Sequence, residues 1–75
     1  MIRALTPQQA RVAALIAAGY DRDEIGYALH MAPGTVRDHC HAAYRVLGIR
    51  GNHTALALTW IRARDARLAE RMAAS

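Results

Sequence analysis

Arg37, His41 and Arg45 recur every four residues between Pro33 and Gly48, so on a helix they share one wet face. Val36, Ala43 and Leu47 fall at the complementary helical spacing and give the same helix a dry face. A guanidinium group can fork onto phosphate oxygens or onto guanine O6 and N7, which a point charge cannot do. A short basic helix, preceded by another short helix and a tight turn, is the geometry that enters a DNA major groove. Asp38 interrupts the basic surface. Its carboxylate can accept from cytosine N4, can hold Arg37 or Arg45 in place, or can mark a surface that no longer meets DNA. All three readings stay open at the level of sequence.

His39-Cys40-His41 suggests a metal or a nucleophile. Residues two apart on a helix point about 200° from each other, so His39 and His41 do not share one ion. Cys40 adjoins the dry face and reads as a small core residue, and His39 as a packed, hydrogen-bonded residue at a helix–helix seam. There is no zinc-type Cys/His spacing, no glycine-rich phosphate loop and no carboxylate pair on a shared face, so no catalytic residue, metal or cofactor is expected. Tyr20, Tyr27 and Tyr44 form no aromatic row for single-stranded nucleic acid and read as half-buried rings with hydroxyls at the rim.

The elements that must position this helix are well punctuated. Thr6-Pro7-Gln8-Gln9 is a capping box with proline at the first helical position, and Val12, Leu15 and Ile16 then recur at helical spacing until Gly19. Asp21-Arg22-Asp23-Glu24 repeats the start signal ahead of Ile25, Ala28 and Leu29. His30-Met31-Ala32 makes the turn, with Met31 plugging the core beneath it. Pro33 opens the next helix, and Asn52 caps a last one. The expectation is an all-α fold with helices over about 7–18, 22–30, 33–47 and 53–72. Residues 1–50 would form a tri-helical body, residues 51–75 a long C-terminal helix, and residues 73–75 a frayed tail.

Seventy-five residues make one small domain, burying about 60% of the surface that the unfolded chain exposes. With a single cysteine, Cys40, no disulfide can form within the chain, so a second copy is the most economical support. The formal charge is +4 and all ten basic side chains are arginine, which suits nucleic acid. No apolar run has the length of a membrane span and no signal peptide opens the chain, so a cytoplasmic location is expected.

The chain resembles the LuxR/GerE-type helix-turn-helix domains of bacterial transcription regulators. The resemblance runs from about Leu5 to Leu58: Leu5-Thr6-Pro7, Ala17-Ala18-Gly19-Tyr20, Glu24-Ile25, Gly34-Thr35-Val36-Arg37, then His39, Tyr44, Leu47-Gly48-Ile49 and Ala55. It implies that Arg37, Asp38 and His41 face base edges, and that Thr35, the backbone near Gly34, Arg45 and Arg50 lie near phosphates. It also implies a dimer through the last helix, with one recognition helix in each half of an inverted repeat. The family's usual serine cap is Ala32 here. Its frequent asparagine, isoleucine and lysine on the recognition helix are Ala42, Ala43 and Val46.

The last helix carries more apolar residues than one side of a three-helix core can use. Leu56, Trp60, Ile61 and Leu68, with Arg64 among them, form the expected dimer face, extended by Leu58 and Met72. Burial of Trp60 within one chain is the competing reading. Two functions follow. The first is a stand-alone regulator that binds double-stranded DNA as a homodimer, with no further domain to sense a signal. The second is a protein-interaction module, its DNA face weakened by Asp23, Asp38, Ala42 and Val46, that pairs with a longer LuxR-type regulator. An enzyme is not expected.

Overall fold

A computed structural model describes residues 4–74. It contains four helices in the order α1 (Pro7–Ala17), α2 (Arg22–Leu29), α3 (Pro33–Leu47) and α4 (His53–Ala74), and no strand among the described residues. The all-α architecture matches the expectation, and three of the four helix ranges agree to within one residue at either end. The exception is α4. It runs on through Ala73 and Ala74, which the sequence reading assigned to a frayed tail. No glycine or proline follows Gly51, and alanine is the strongest helix former, so nothing in the sequence stops the helix there. Ser75 lies outside the described residues.

The caps follow from the sequence. Thr6 accepts from the Gln9 amide at 3.2 Å while the Gln9 side chain accepts from the Thr6 amide at 3.0 Å. Asp21 and Glu24 repeat that reciprocal arrangement at 2.8 and 3.0 Å. The Asn52 side-chain Oδ1 accepts from the amides of Thr54 and Ala55 and so starts α4. Gly48 ends α3 in the left-handed region, at φ 66°, where a side chain would be strained.

The core gathers Leu5 with Val12, Ala13 and Ile16 of α1, Ile25 of α2, and Leu56 of α4 around the α3 stripe of Val36, Cys40, Ala43, Tyr44 and Leu47. The most extensive helix pairing is α1 with α4, and α3 rests on α1 and α2. Leu15, Leu29, Met31 and Trp60 close the edges of this core. Only the first turns of α4 join it. From Arg64 onward every described residue of α4 is exposed, and the molecule is 42 Å along its longest axis against 24 and 19 Å across.

The α2–α3 turn is tight and strained. His30 takes a left-handed conformation at φ 57°, the one non-glycine residue of the described chain to do so. The Met31 amide then donates to the Gly26 carbonyl at 2.8 Å. This brings the turn so close to α2 that a Cβ at position 26 would lie 2.6 Å from the Met31 carbonyl oxygen. Gly26 therefore sets the approach of α2 to the turn, and with it the tilt of α3.

Candidate nucleic-acid interface

The helix α3 is divided lengthwise. Val36, Cys40, Ala43 and Leu47 follow steps of four, three and four and are all buried. Gly34, Asp38, His41 and Arg45 follow the same steps along the opposite side and are all exposed. Arg37 flanks this outer ridge on one side, and Thr35 stands on the first turn; both are exposed. Arg50, also exposed, follows in the loop before α4. Every side chain that the sequence singled out for DNA thus reaches solvent, five of them on one short helix.

The Asp38 carboxylate lies 3.8 Å from Arg37 Nε, with the two side chains 77% and 57% exposed. An exposed pair at that distance stabilises the fold by about 0–1 kcal/mol, so its main effect is to limit where the guanidinium can swing. Of the two arginines considered as partners for Asp38, Arg37 is the one it meets. Arg45 has no ion pair among the described residues, and its charge lies in the last turn of α3, favourable to the helix dipole.

The opening of α3 is bare. Ala32 offers no side-chain cap, and Pro33 has no amide to satisfy. The Thr35 and Val36 amides fold back onto the Ala32 carbonyl at 2.9 and 3.1 Å. The Gly34 amide has no hydrogen-bond partner among the described residues, and nothing lies within 4 Å of where its Cβ would be. A free amide at the positive end of a helix dipole, uncovered by side chains, suits an approaching anion.

His41 is oriented from below. Its ring lies 5.7 Å from that of Tyr44, tilted by 42°, and Tyr44 in turn lies 6.5 Å from the His53 ring at the start of α4. Tyr44 is 6% exposed, not half-buried as the sequence suggested, because it continues the dry stripe four residues after Cys40 and lies against Gly51. Tyr27 departs the other way. It is 88% exposed on the outer side of α2, and only Tyr20, 46% exposed, lies near the half-burial foreseen for all three.

The cluster His39-Cys40-His41 comes apart as helical geometry requires. His41 is exposed, His39 is partly buried without a hydrogen bond among the described residues, and Cys40 is sealed in the core. The hydrogen bond foreseen for His39 is therefore missing. Burial pushes the Cys40 thiol up, with the Arg22 charge drawing it part of the way back. A thiol held neutral inside the core is a packing group, not a nucleophile.

On α4, Leu56 is fully buried and packs into the body, so it offers no surface to a second chain. This corrects its place among the expected interface residues. Among the helices α4 pairs most extensively with α1, and Leu56, in its first turns, belongs to the shared core. Trp60 is shared: it is partly buried against the core and also lines an open groove with Ala63, Arg64, Arg67, Leu68 and Arg71. Ile61 is partly buried, and Leu68 is 56% exposed. The role of Gly26 escaped the sequence reading. The available signal was a glycine inside a short helix, a position that costs about 1 kcal/mol relative to alanine and so has a packing reason.

The family model described as bacterial regulatory proteins, luxR family, matches residues 3–59. That span takes in the whole of α1, α2 and α3 and the first turns of α4. No curated protein and no solved structure matches the chain. The matched span, the capped α2, the strained turn and the divided α3 agree: the chain belongs to the luxR family of bacterial regulatory proteins and is a helix-turn-helix DNA-binding transcription regulator.

Proposed function

We propose that two copies of the chain bind an inverted repeat of double-stranded DNA in the cytoplasm, each placing α3 in the major groove. The observation that carries this reading is the exposed ridge of Gly34, Asp38, His41 and Arg45, flanked by Arg37, directly opposite the buried stripe. Arg37, held near Asp38, reaches a guanine edge, and His41, set by Tyr44, reaches the next base step. Asp38 braces Arg37 and accepts from cytosine N4 where one is presented. Thr35, the Gly34 amide, Arg45 and Arg50 take phosphates and fix the register. Trp60, Ile61, Arg64 and Leu68 of α4 supply the surface through which the copies meet on DNA. Among the described residues no helix is long and apolar enough to cross a membrane.

A second reading rests on a different observation. Val46 is 41% exposed on α3 and Ala42 is partly exposed, at positions where phosphate-binding side chains would strengthen DNA contact. With Asp38 nearby, this favours a chain that pairs with a longer regulator of the same family and redirects it.

Selecting duplexes from a random pool and comparing the chain with Arg37→Ala separates the two. The first reading predicts an enriched sequence, bound about 5- to 150-fold more weakly by the variant, equivalent to about 1–3 kcal/mol. An unchanged isotherm would remove Arg37 from the base edge, and a pool with no enriched sequence would favour the second reading.

A further inference from the structure

Two exposed histidines are tied to one buried ring. Tyr44 belongs to the dry stripe of α3, and its ring meets His41 of the same helix at 5.7 Å and His53, the first residue of α4, at 6.5 Å. His41 stands on the outer ridge of α3, so Tyr44 holds the opening of α4 up beside that ridge. Arg45 and Arg50, both exposed, fall between the two histidines along the chain. From His41 to His53 the chain contains no carboxylate. The stretch therefore offers two imidazoles and two guanidinium groups to solvent and nothing to neutralise them.

The groups around each ring decide what a proton there would meet. On α3, Arg37 and Arg45 stand one turn to either side of His41, and Asp38 precedes it by three residues but lies beside Arg37. From α2, the Arg22 charge reaches the buried Cys40. From α1, the one ionisable side chain, Arg11, is turned to Gln8 at 2.9 Å. His53 shares an open groove with Tyr20 and Asp21, and the Asp21 carboxylate is taken up in capping α2, 2.8 Å from the Glu24 amide. The α4 dipole turns its positive end toward His53. Neither imidazole has an ion pair or a hydrogen bond among the described residues. A proton on either ring thus has no counter-charge of its own until an anion arrives.

We propose that His53 is a further DNA contact, and that His53 and His41 each take a proton from solvent as the duplex lands, so that affinity for DNA rises as pH falls. This rests on the reading of α3 as the helix in the major groove. His53 donates to a phosphate next to those met by Arg45 and Arg50, and His41 donates to an acceptor on a base edge. Imidazole is the side chain that changes charge between pH 5 and 8. Its neutral ring has one N–H and one lone pair, whereas the charged ring has two N–H donors. Phosphate oxygens and guanine O6 and N7 all accept, so the charged ring fits them whichever nitrogen is presented. Because association binds protons, the gain is complete at low pH and is lost as pH rises through the imidazole range. Tyr44 is the positioning residue for both rings.

The test titrates the full chain into the duplex enriched from the random pool and into its scrambled control, at fixed ionic strength, from about pH 6 to about pH 8. Affinity for the enriched duplex falls at least about tenfold over that range. The double variant His41→Gln with His53→Gln binds as weakly at the lower pH as the parent does at the upper one. His53→Arg, whose charge does not titrate, restores affinity at the upper pH. Both histidines are exposed, and circular dichroism verifies the fold of each variant. Sequence-dependent binding that ignores pH overturns the proposal and leaves the DNA reading standing. So does a pH dependence that survives in the double variant, which would assign it to His30, His39 or the chain's amino group. His53→Gln with the parent's pH profile would remove His53 from the contact. Weak and equal binding of both duplexes at every pH defeats the DNA reading itself, and this inference with it.

Discussion

Gly26→Ala is the substitution in which helix propensity and packing give opposite answers. Alanine in a helix interior is favoured over glycine by about 0.8–1.0 kcal/mol, so propensity alone predicts a gain. The structure opposes this, because the added Cβ would lie 2.6 Å from the Met31 carbonyl oxygen. A carbon–oxygen contact relaxes at about 3.3 Å, so the turn must retreat from α2 by about 0.7 Å. The Met31 amide donates to Gly26 at 2.8 Å through that same turn, and a retreat of this size lengthens the bond beyond useful range. Losing it costs about 0.5–1.5 kcal/mol, and overpacking backbone against backbone adds about 1–3 kcal/mol. The net expectation is a loss of about 1–3 kcal/mol, or roughly 5–20 °C in melting temperature for a domain of this size. Urea titration followed by circular dichroism measures it, with Gly34→Ala as the contrast. Nothing lies within 4 Å of a Cβ at position 34, so that variant keeps or raises stability. A Gly26→Ala protein as stable as the parent, or more so, would refute the account of how the turn sets α3.

Leu56→Ala empties a fully buried site and costs about 2–5 kcal/mol, whereas Leu68→Ser on the projecting half of α4 leaves the melting curve unchanged and alters self-association alone. Chemical denaturation and sedimentation of the same samples check both. The pH dependence follows from two raised groups. Burial pushes both the Cys40 thiol and the Tyr44 phenol up, Tyr44 also feeling Cys40, so the unfolded chain ionises first. Their contribution is therefore complete below the ordinary values of 9.0 and 10.0 and is lost as pH rises through the folded ones. The urea midpoint should fall from about pH 9 upward, and Cys40→Ala should delay the onset.

Much of the fold was legible because the local signals agree with one another. Thr6 with Gln9, Asp21 with Glu24, Asn52 and Gly48 each act within a turn of their own position, so their geometry is written in adjacent residues. The dry stripe of α3 was legible for the same reason: one helix supplies both the spacing and the face. What escaped depends on contacts between one helix and the turn or helix that packs on it. Tyr44 is buried because Gly51 and His53 close over it, and Leu56 is buried because α1 lies beneath it. Neither neighbour is implied by helical period. The close approach at Gly26 depends on a carbonyl five residues onward, on the far side of a left-handed turn. The reach of α4 to Ala74 was underestimated because a helix end without a stop signal was read as a loose tail.

The candidate DNA face was legible as a pattern of exposure, since Arg37, His41 and Arg45 needed only the period of α3. How Asp38 behaves needed the structure. Its position beside Arg37 follows from the side-chain conformations of two adjacent exposed residues, which spacing does not determine.

The central claim, that this chain reads double-stranded DNA, is tested most directly by fluorescence anisotropy across a salt series. The labelled duplexes are one from upstream of its own gene and a scrambled control. If two copies neutralise about six phosphates, log affinity falls with log salt at a slope near −5, with the upstream duplex bound more tightly throughout. Weak binding, equal on both duplexes even at low salt, would contradict the claim and leave α3 as a surface that does not read DNA.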